Sequence, residues 1–384
     1  MISALLRLAA AAALATGHGA ARPAVAPSRA SSSEAARTAA APPVSRLSRS
    51  QLAGQRIIYA YSGLKPPPSL VAAIRAGEAG GVILFAPNIG TRAQIRSTVA
   101  GLQRVSLASP LHTRLLILTD QEGGEVRRLP GAPALSEKQI GASTNPLGQA
   151  RAAGSGAGAN LAGVGINVNL TPVLDVFRTS GNFIDEFQRS YSRRATTVSA
   201  LGGAFISAQQ HLGVAATAKH FPGLGAATRS QNTDLRPVTL TQSLAMLRAT
   251  DEAPYRTAIA DGVKLVMTSW ATYPALDRRR PAGLSPTVIG GELRGRLHFR
   301  GVTITDGIDA GAVTRLGNLG QRGVLAAAAG ADLILCAAPV PSENTPAQGI
   351  TVRGALASAL SQHQLSLSAA RQAATRILAL RARP

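Results

Sequence analysis

Three apolar runs in this chain each end in side chains that can do chemistry. Val214-Ala215-Ala216-Thr217-Ala218 leads into Lys219-His220-Phe221-Pro222-Gly223. Val302-Thr303-Ile304-Thr305 ends in Asp306-Gly307, and Leu115-Leu116-Ile117-Leu118-Thr119 ends in Asp120-Gln121-Glu122-Gly123-Gly124. A carboxylate can attack an electrophilic carbon, while an ammonium and an imidazole can donate to hydroxyl groups. The chain has only four lysines and six histidines in 384 residues, so an adjacent pair stands out from composition. Alone, Lys219 and His220 could be a buried pair bonded to neighbouring strands. The two further strand ends turn the reading toward a polar site on a rigid scaffold.

Such residues need elements to position them. From about residue 50, short β-branched runs alternate with helical patterns. Strands are expected at 56–60, 82–85, 115–119, 166–170, 214–218, 265–268, 302–305 and 333–336. Segments with three- and four-residue apolar spacing predict helices at 69–79, 91–107, 195–212, 240–261 and 320–330. Glycines such as Gly165, Gly213, Gly262 and Gly330 precede the strands, as at a helix C-cap and αβ turn. Eight strand–helix units with near-continuous apolar strands predict a parallel, doubly covered (β/α)8 barrel. A doubly wound open sheet is the alternative. Helices at 349–361 and 366–380 would close the outside, with no second domain and no solenoid repeat.

The remaining composition narrows the setting. Residues 1–26 read as a secretory leader, with one positive side chain in Met1 to Arg7, an apolar Ala-rich run and small residues after it. That run is too short to span a bilayer, and no cysteine follows it, which argues against a lipid anchor. Residues 27–48, rich in Ala, Pro, Ser and Arg, read as a disordered linker, with the barrel domain at 49–384. The single cysteine, Cys336, ends an apolar run, so no internal disulfide and no multi-cysteine metal site is expected. The formal charge of +21 is spread along the chain and aromatics are 3% of residues, which argues against nucleic acid as a partner. For an exported protein, attraction to anionic wall polymers or lipid head groups is the expected consequence.

Asp120-Gln121-Glu122-Gly123-Gly124, Arg189-Ser190-Tyr191, Lys219-His220-Phe221-Pro222-Gly223 and Ile304-Thr305-Asp306-Gly307, in that order, resemble glycoside hydrolase family 3. The likeness is strongest to single-domain β-N-acetylhexosaminidases that trim peptidoglycan fragments, and it runs from about residue 50 to 380. The resemblance implies a TIM-type barrel. It gives Asp306 the role of nucleophile in a retaining reaction that passes through a covalent glycosyl intermediate. It makes Asp120 a ligand of two sugar hydroxyls, Arg128 the arginine closing that pocket with Arg127 as rival, and Arg189, Lys219 and His220 further substrate contacts. Asp309 is the lesser nucleophile candidate. Gly123, Gly124, Pro222 and Gly223 read as backbone formers. No metal or organic cofactor is implied.

The general acid departs from the family pattern. Where the hexosaminidases carry an Asp-Ser-His element, this chain reads Ser230-Gln231-Asn232, and Leu224 replaces a preceding loop histidine. An amide has no proton to give at neutral pH, so Asn232 cannot serve. Asp234 is the one carboxyl in that loop and is the expected acid/base, with a pKa raised by burial. The alternative is that it only caps a turn before Pro237. Asp185 and Glu186 are remoter candidates. The Asp-Pro pair that usually follows the Arg-Ser-aromatic element is missing, with Arg193-Arg194 near its place.

Three functions fit these residues. The first is an exported β-N-acetylhexosaminidase or related β-glycosidase acting on cell-wall sugars. The second is a sugar-binding protein of the same fold with a degenerate acid/base. The third makes Lys219 the Schiff-base lysine of an aldolase-type barrel.

Overall fold

The computed structural model describes residues 42–382. Eight parallel strands close on themselves: β1 Ile57–Tyr59, β2 Gly81–Ile83, β3 Leu116–Thr119, β4 Val168–Asn169, β5 Ala215–Phe221, β6 Leu265–Thr268, β7 Val302–Gly307 and β8 Leu333–Cys336. Each pairs with the next in the chain, and β8 returns to β1 through Ile57↔Ile334, Ile58↔Leu335 and Tyr59↔Cys336. That last pairing excludes the open-sheet alternative. All eight strands fall where the apolar runs predict them, because both faces of each strand are covered. Ile58 packs in the barrel interior with Ile83, Leu118, Met267 and Leu335. Ile57, Tyr59 and Val82 face the helices on the outside. A strand apolar on both faces reads as an unbroken run rather than an alternating one.

The helices follow the expected spacing less closely. Pro68–Arg75, Arg92–Leu107, Ala195–Gln210, Leu319–Ala329, Pro346–Ser361 and Leu367–Arg381 match predicted segments. The segment 240–261, read as one helix, is broken. It holds the short turn Leu244–Met246, a π-helical stretch Leu247–Asp251 and the helix Ala253–Ala260 with Pro254 in its first turn. Pro254 lacks the N–H a continuous helix would use, and the wider π-turn absorbs the mismatch. Two helices of ten or more residues have no counterpart in the expectation. Pro146–Ala162 is built mostly of Ala and Gly, and Thr287–Arg296 is wound as a π-helix with Gly290-Gly291 inside it.

The leader expected at 1–26, and the linker up to residue 41, lie outside the described residues. Residues 42–48 belong to the packed body rather than to a disordered linker. Val44–Arg46 forms a 3₁₀ turn, Leu47 is buried in the core, and Ser48 caps the helix Arg49–Gly54 in a capping box with Gln51. A buried leucine and a capped helix fix this segment, so the body begins before the expected boundary at 49. No helix among the described residues is long and apolar enough to cross a membrane.

Candidate active site

Asp120 follows β3 directly, Lys219 and His220 lie near the end of β5, and Asp306 lies near the end of β7. These are C-terminal strand ends, where barrels of this kind gather their chemistry. Asp120, Arg128, Arg189, Lys219, His220, Asp234 and Asp306 all line one cavity of about 450 Å³. A larger groove of about 820 Å³ runs over the helices Pro146–Ala162 and Ala195–Gln210 on the barrel's outside. It is broadly open and holds none of the strand-end residues, so the smaller cavity is the functional candidate.

One wall of the cavity is a charge cluster. The Lys219 Nζ donates to Asp120 Oδ1 at 2.9 Å and lies 2.7 Å from Glu122 Oε1. Arg189 grips Glu122 with both arms of its guanidinium, Nε and Nη2 each at 2.9 Å. Arg128 Nη2 stands 3.9 Å from Asp120 Oδ2. Arg127 instead turns away, donating to the Gly131 carbonyl at 3.0 Å. Burial alone would raise the two carboxyls. The cations reverse this, holding Asp120 below its ordinary range and Glu122 at about 2. Burial would likewise lower Lys219, but Asp120 and Glu122 outweigh it and raise the ammonium. An imine-forming lysine needs a depressed pKa and a free amine. Lys219 has neither, and the aldolase reading loses its residue.

The backbone that presents this cluster is built for it. A short hairpin pairs Gln121–Gly123 with Val126–Arg127. Gly123 and Gly124 take φ of +111° and +55°, and a Cβ on Gly123 would lie 2.2 Å from the Leu135 carbonyl oxygen. These two glycines shape the turn rather than bind a ligand. Beneath the cluster, Glu137 is buried and accepts the Val173 N–H at 2.9 Å. Burial, with Glu122 nearby, raises its carboxyl well above the usual range. The wall thus sets the carboxylates of Asp120 and Glu122 against three cations, Lys219, Arg189 and Arg128.

His220 is held from behind. Its Nδ1 lies 2.8 Å from Asp175 Oδ2, and Asp175 Oδ1 accepts the backbone N–H of Leu224 at 2.6 Å and of His220 at 3.3 Å. Asp175 is fully buried, so these contacts fix the ring's orientation and leave Nε2 as its free edge. Consecutive strand residues normally face opposite sides. Lys219 and His220 nevertheless both line the cavity, in the stretch where the β5–β6 register shifts between Ala218 and Phe221.

The opposite wall carries Asp306 and Asp234. Asp306 Oδ1 accepts the N–H of its neighbour Gly307 at 2.8 Å, and the Gly307 carbonyl accepts from the indole N–H of buried Trp270 at 2.8 Å. This fixes the strand end beneath the carboxyl. Asp309 points elsewhere and pairs with Arg322 at 3.1 Å. The loop after β5 lies against the segment after β7: Gly311 N–H donates to the Asp234 carbonyl at 2.7 Å, and Ala312 N–H to the Thr233 carbonyl at 3.0 Å. A Cβ on Gly311 would lie 2.3 Å from the Leu235 carbonyl oxygen, so only glycine permits that approach. Those two bonds carry Asp234 onto the side of Asp306.

Asp234 sits at the cavity rim as an exposed residue, yet protein crowds its carboxyl on the inner side. Burial first, and then the Asp306 charge, raise it to about 6, and solvent at the rim screens part of that effect. Asn232 Oδ1 accepts the Asp234 N–H at 2.8 Å, and Gln231 Oε1 accepts the Thr228 N–H at 2.8 Å. The residues at the place of the family's Asp-Ser-His element thus spend their side chains inside the loop. Asp185 is tied to Lys138 at 2.8 Å and Glu186 to Arg229 at 2.6 Å. Both remoter acid candidates are structural ion pairs.

A carboxyl raised to about 6 beside a second carboxyl, in a cavity lined by hydroxyl-binding cations, is the equipment of acid-assisted displacement at a sugar carbon. Glu122, Glu137, Asp175 and Trp270 were not singled out from sequence. Asp175 had a usable signal, since a lone carboxylate inside Val173-Leu174-Asp175-Val176-Phe177 must be paired when buried.

Comparison with known proteins identifies the family. The glycosyl hydrolase family 3 N-terminal domain matches residues 51–380. A protein of Arthroderma benhamiae named as an uncharacterized secreted glycosyl hydrolase is 46% identical over 333 residues, covering 86% of this chain and 92% of the relative. A beta-hexosaminidase of Nitrosomonas eutropha is 34% identical, covering 67% of this chain and 73% of that protein. Among solved structures, a family 3 beta-N-acetylglucosaminidase from Paenibacillus sp. superposes with a TM-score of 0.81 at 34% identity over 87% of this chain, which spans 62% of that protein. The beta-N-acetylhexosaminidase of Beutenbergia cavernae gives 0.77 at 30% identity, covering 87% of this chain and 98% of that one.

Proposed function

The chain belongs to glycosyl hydrolase family 3, and from that premise we propose that it is an exported, retaining β-N-acetylhexosaminidase acting on cell-wall material. The observation that carries this reading is the pair Asp306 and Asp234 on one cavity wall, with Asp234 raised to about 6 beside the other carboxyl. Asp306 attacks the anomeric carbon and its bond to the leaving oxygen breaks. Asp234 gives that oxygen its proton, then takes a proton from the water that releases the sugar. Asp120, Arg128, Arg189, Lys219 and His220 hold the ring, with the free edge of His220 directed by Asp175. Export rests on the leader-like N-terminus and on the secreted relative. The high positive charge suits an envelope rich in anionic polymers.

The test is hydrolysis of nitrophenyl N-acetyl-β-glucosaminide against the matching β-glucoside. Turnover of the first, with kcat/KM at least about tenfold above the second, supports the reading, since a site built around an acetamido group rejects an analogue lacking it. Preference for the glucoside would move the assignment to a β-glucosidase. Binding of N-acetylglucosamine with no turnover of any aryl glycoside would favour the sugar-binding alternative, which the missing loop histidine keeps open.

A further inference from the structure

Phe187 is a large aromatic side chain that is 41% exposed, yet it lines the same cavity as Asp234 and Asp306. The backbone beneath it is fixed. Gln188, at φ +55°, donates its N–H to Asp185 and gives its carbonyl to the Lys138 N–H at 3.2 Å. Arg189 N–H returns to the Ile184 carbonyl at 3.2 Å. Phe183, 6% exposed, lines the cavity beside it. The turn is also tied to the loop that carries Asp234. Asn182 Nδ2 donates to the Gly225 carbonyl at 2.7 Å, Phe183 N–H to the Ala227 carbonyl at 3.4 Å, and Arg229 pairs with Glu186 at 2.6 Å. Phe187 and Asp234 therefore stand on two joined segments of one rim.

We propose that Phe187 is the platform of a leaving-group subsite, which takes the pyranose or aryl ring attached to the oxygen that Asp234 protonates. This rests on the glycosidase reading and adds a second ring to it. The acid must stand beside the leaving oxygen, so the group bonded to that oxygen emerges on the acid's side of the cavity. An apolar face of a sugar ring laid on Phe187 removes from water a surface that nothing else among the described residues covers. The charge cluster at Asp120 and Lys219, in contrast, serves the ring that is transferred.

The test uses the Asp306→Asn protein, which binds without cleaving, and isothermal calorimetry with two probes. One is methyl N-acetyl-β-glucosaminide, and the other is the β-1,4-linked N-acetylglucosamine disaccharide. The second ring is expected to tighten binding roughly tenfold. Adding Phe187→Ala should abolish that increment while leaving the methyl glycoside within about twofold, and Phe187→Tyr should restore it. An increment unchanged in Phe187→Ala overturns the subsite and leaves the glycosidase reading standing. Equal weakening of both probes, or no recovery with tyrosine, also overturns it, because the residue is then only structural. If neither probe binds, the glycosidase reading fails and takes the subsite with it.

Discussion

Asp306→Asn is expected to lower kcat/KM toward nitrophenyl N-acetyl-β-glucosaminide by on the order of 10³-fold or more. The loss should be the same for good and poor leaving groups, because an amide cannot form the glycosyl ester whatever departs. Folding should survive. The carboxyl's hydrogen bond runs to the adjacent Gly307 N–H, which an amide oxygen can also accept, and the strand end is held independently by the Trp270 indole. Steady-state kinetics together with a thermal melt separate the two effects. Retained activity in a folded Asp306→Asn protein would point to the substrate's own acetamido oxygen as the nucleophile, a route some hexosaminidases use.

Asp234→Asn should show a different pattern. General acid help is worth roughly 10²–10⁴-fold, so the disaccharide should lose about that much. A dinitrophenyl glycoside, whose leaving group needs no proton, should lose little in the bond-breaking step. The pH profile follows from the raised carboxyl. An acid with its pKa near 6 is protonated below that value and loses its proton as pH rises through it, so kcat/KM for the disaccharide should fall on the alkaline side from about 6. In Asp234→Asn that limb should vanish, leaving a low and flatter profile. Azide added to the variant should accelerate turnover of the activated substrate and give the β-glycosyl azide, since a small anion needs no base. A wild-type limb unmoved by the substitution would send the acid assignment elsewhere in the cavity.

Much of this site was legible before the fold because strand ends are local. Asp120, Lys219, His220 and Asp306 each follow an apolar run that both barrel faces force into a continuous string, so a change of character marks the end of the strand. The role of Asp234 was not legible in the same way. Its position depends on two backbone bonds to Gly311 and Ala312, residues far along the chain, and on a glycine that lets the loops touch. Glu122 was visible in its motif, but its capture by Lys219 and Arg189 is a three-way contact of distant segments.

The helix Pro146–Ala162 was missed for a physical reason as well. A Cβ on Gly154 would lie 2.4 Å from the Phe205 carbonyl oxygen, and one on Gly158 would lie 3.0 Å from the Leu212 side chain. This helix packs by close backbone approach, so it lacks the Leu and Ile stripe that periodicity detects. Besides Leu224 and the missing Asp-Pro pair, the resemblance points to residues this chain does not have at the Asp-Ser-His element, which reads Ser230-Gln231-Asn232. There the geometry directs attention to the carboxyl two residues beyond Asn232.

The central claim is that one carboxyl forms a bond to the sugar. The most direct measurement is peptide mass spectrometry after inactivation with a 5-fluoro glycosyl fluoride of N-acetylglucosamine, which slows release of the covalent intermediate. The account predicts a single added glycosyl mass, located on the peptide containing Thr305-Asp306-Gly307 and absent from Asp306→Asn. A label on any other residue, or time-dependent loss of activity with no covalent mass on the protein, would contradict it.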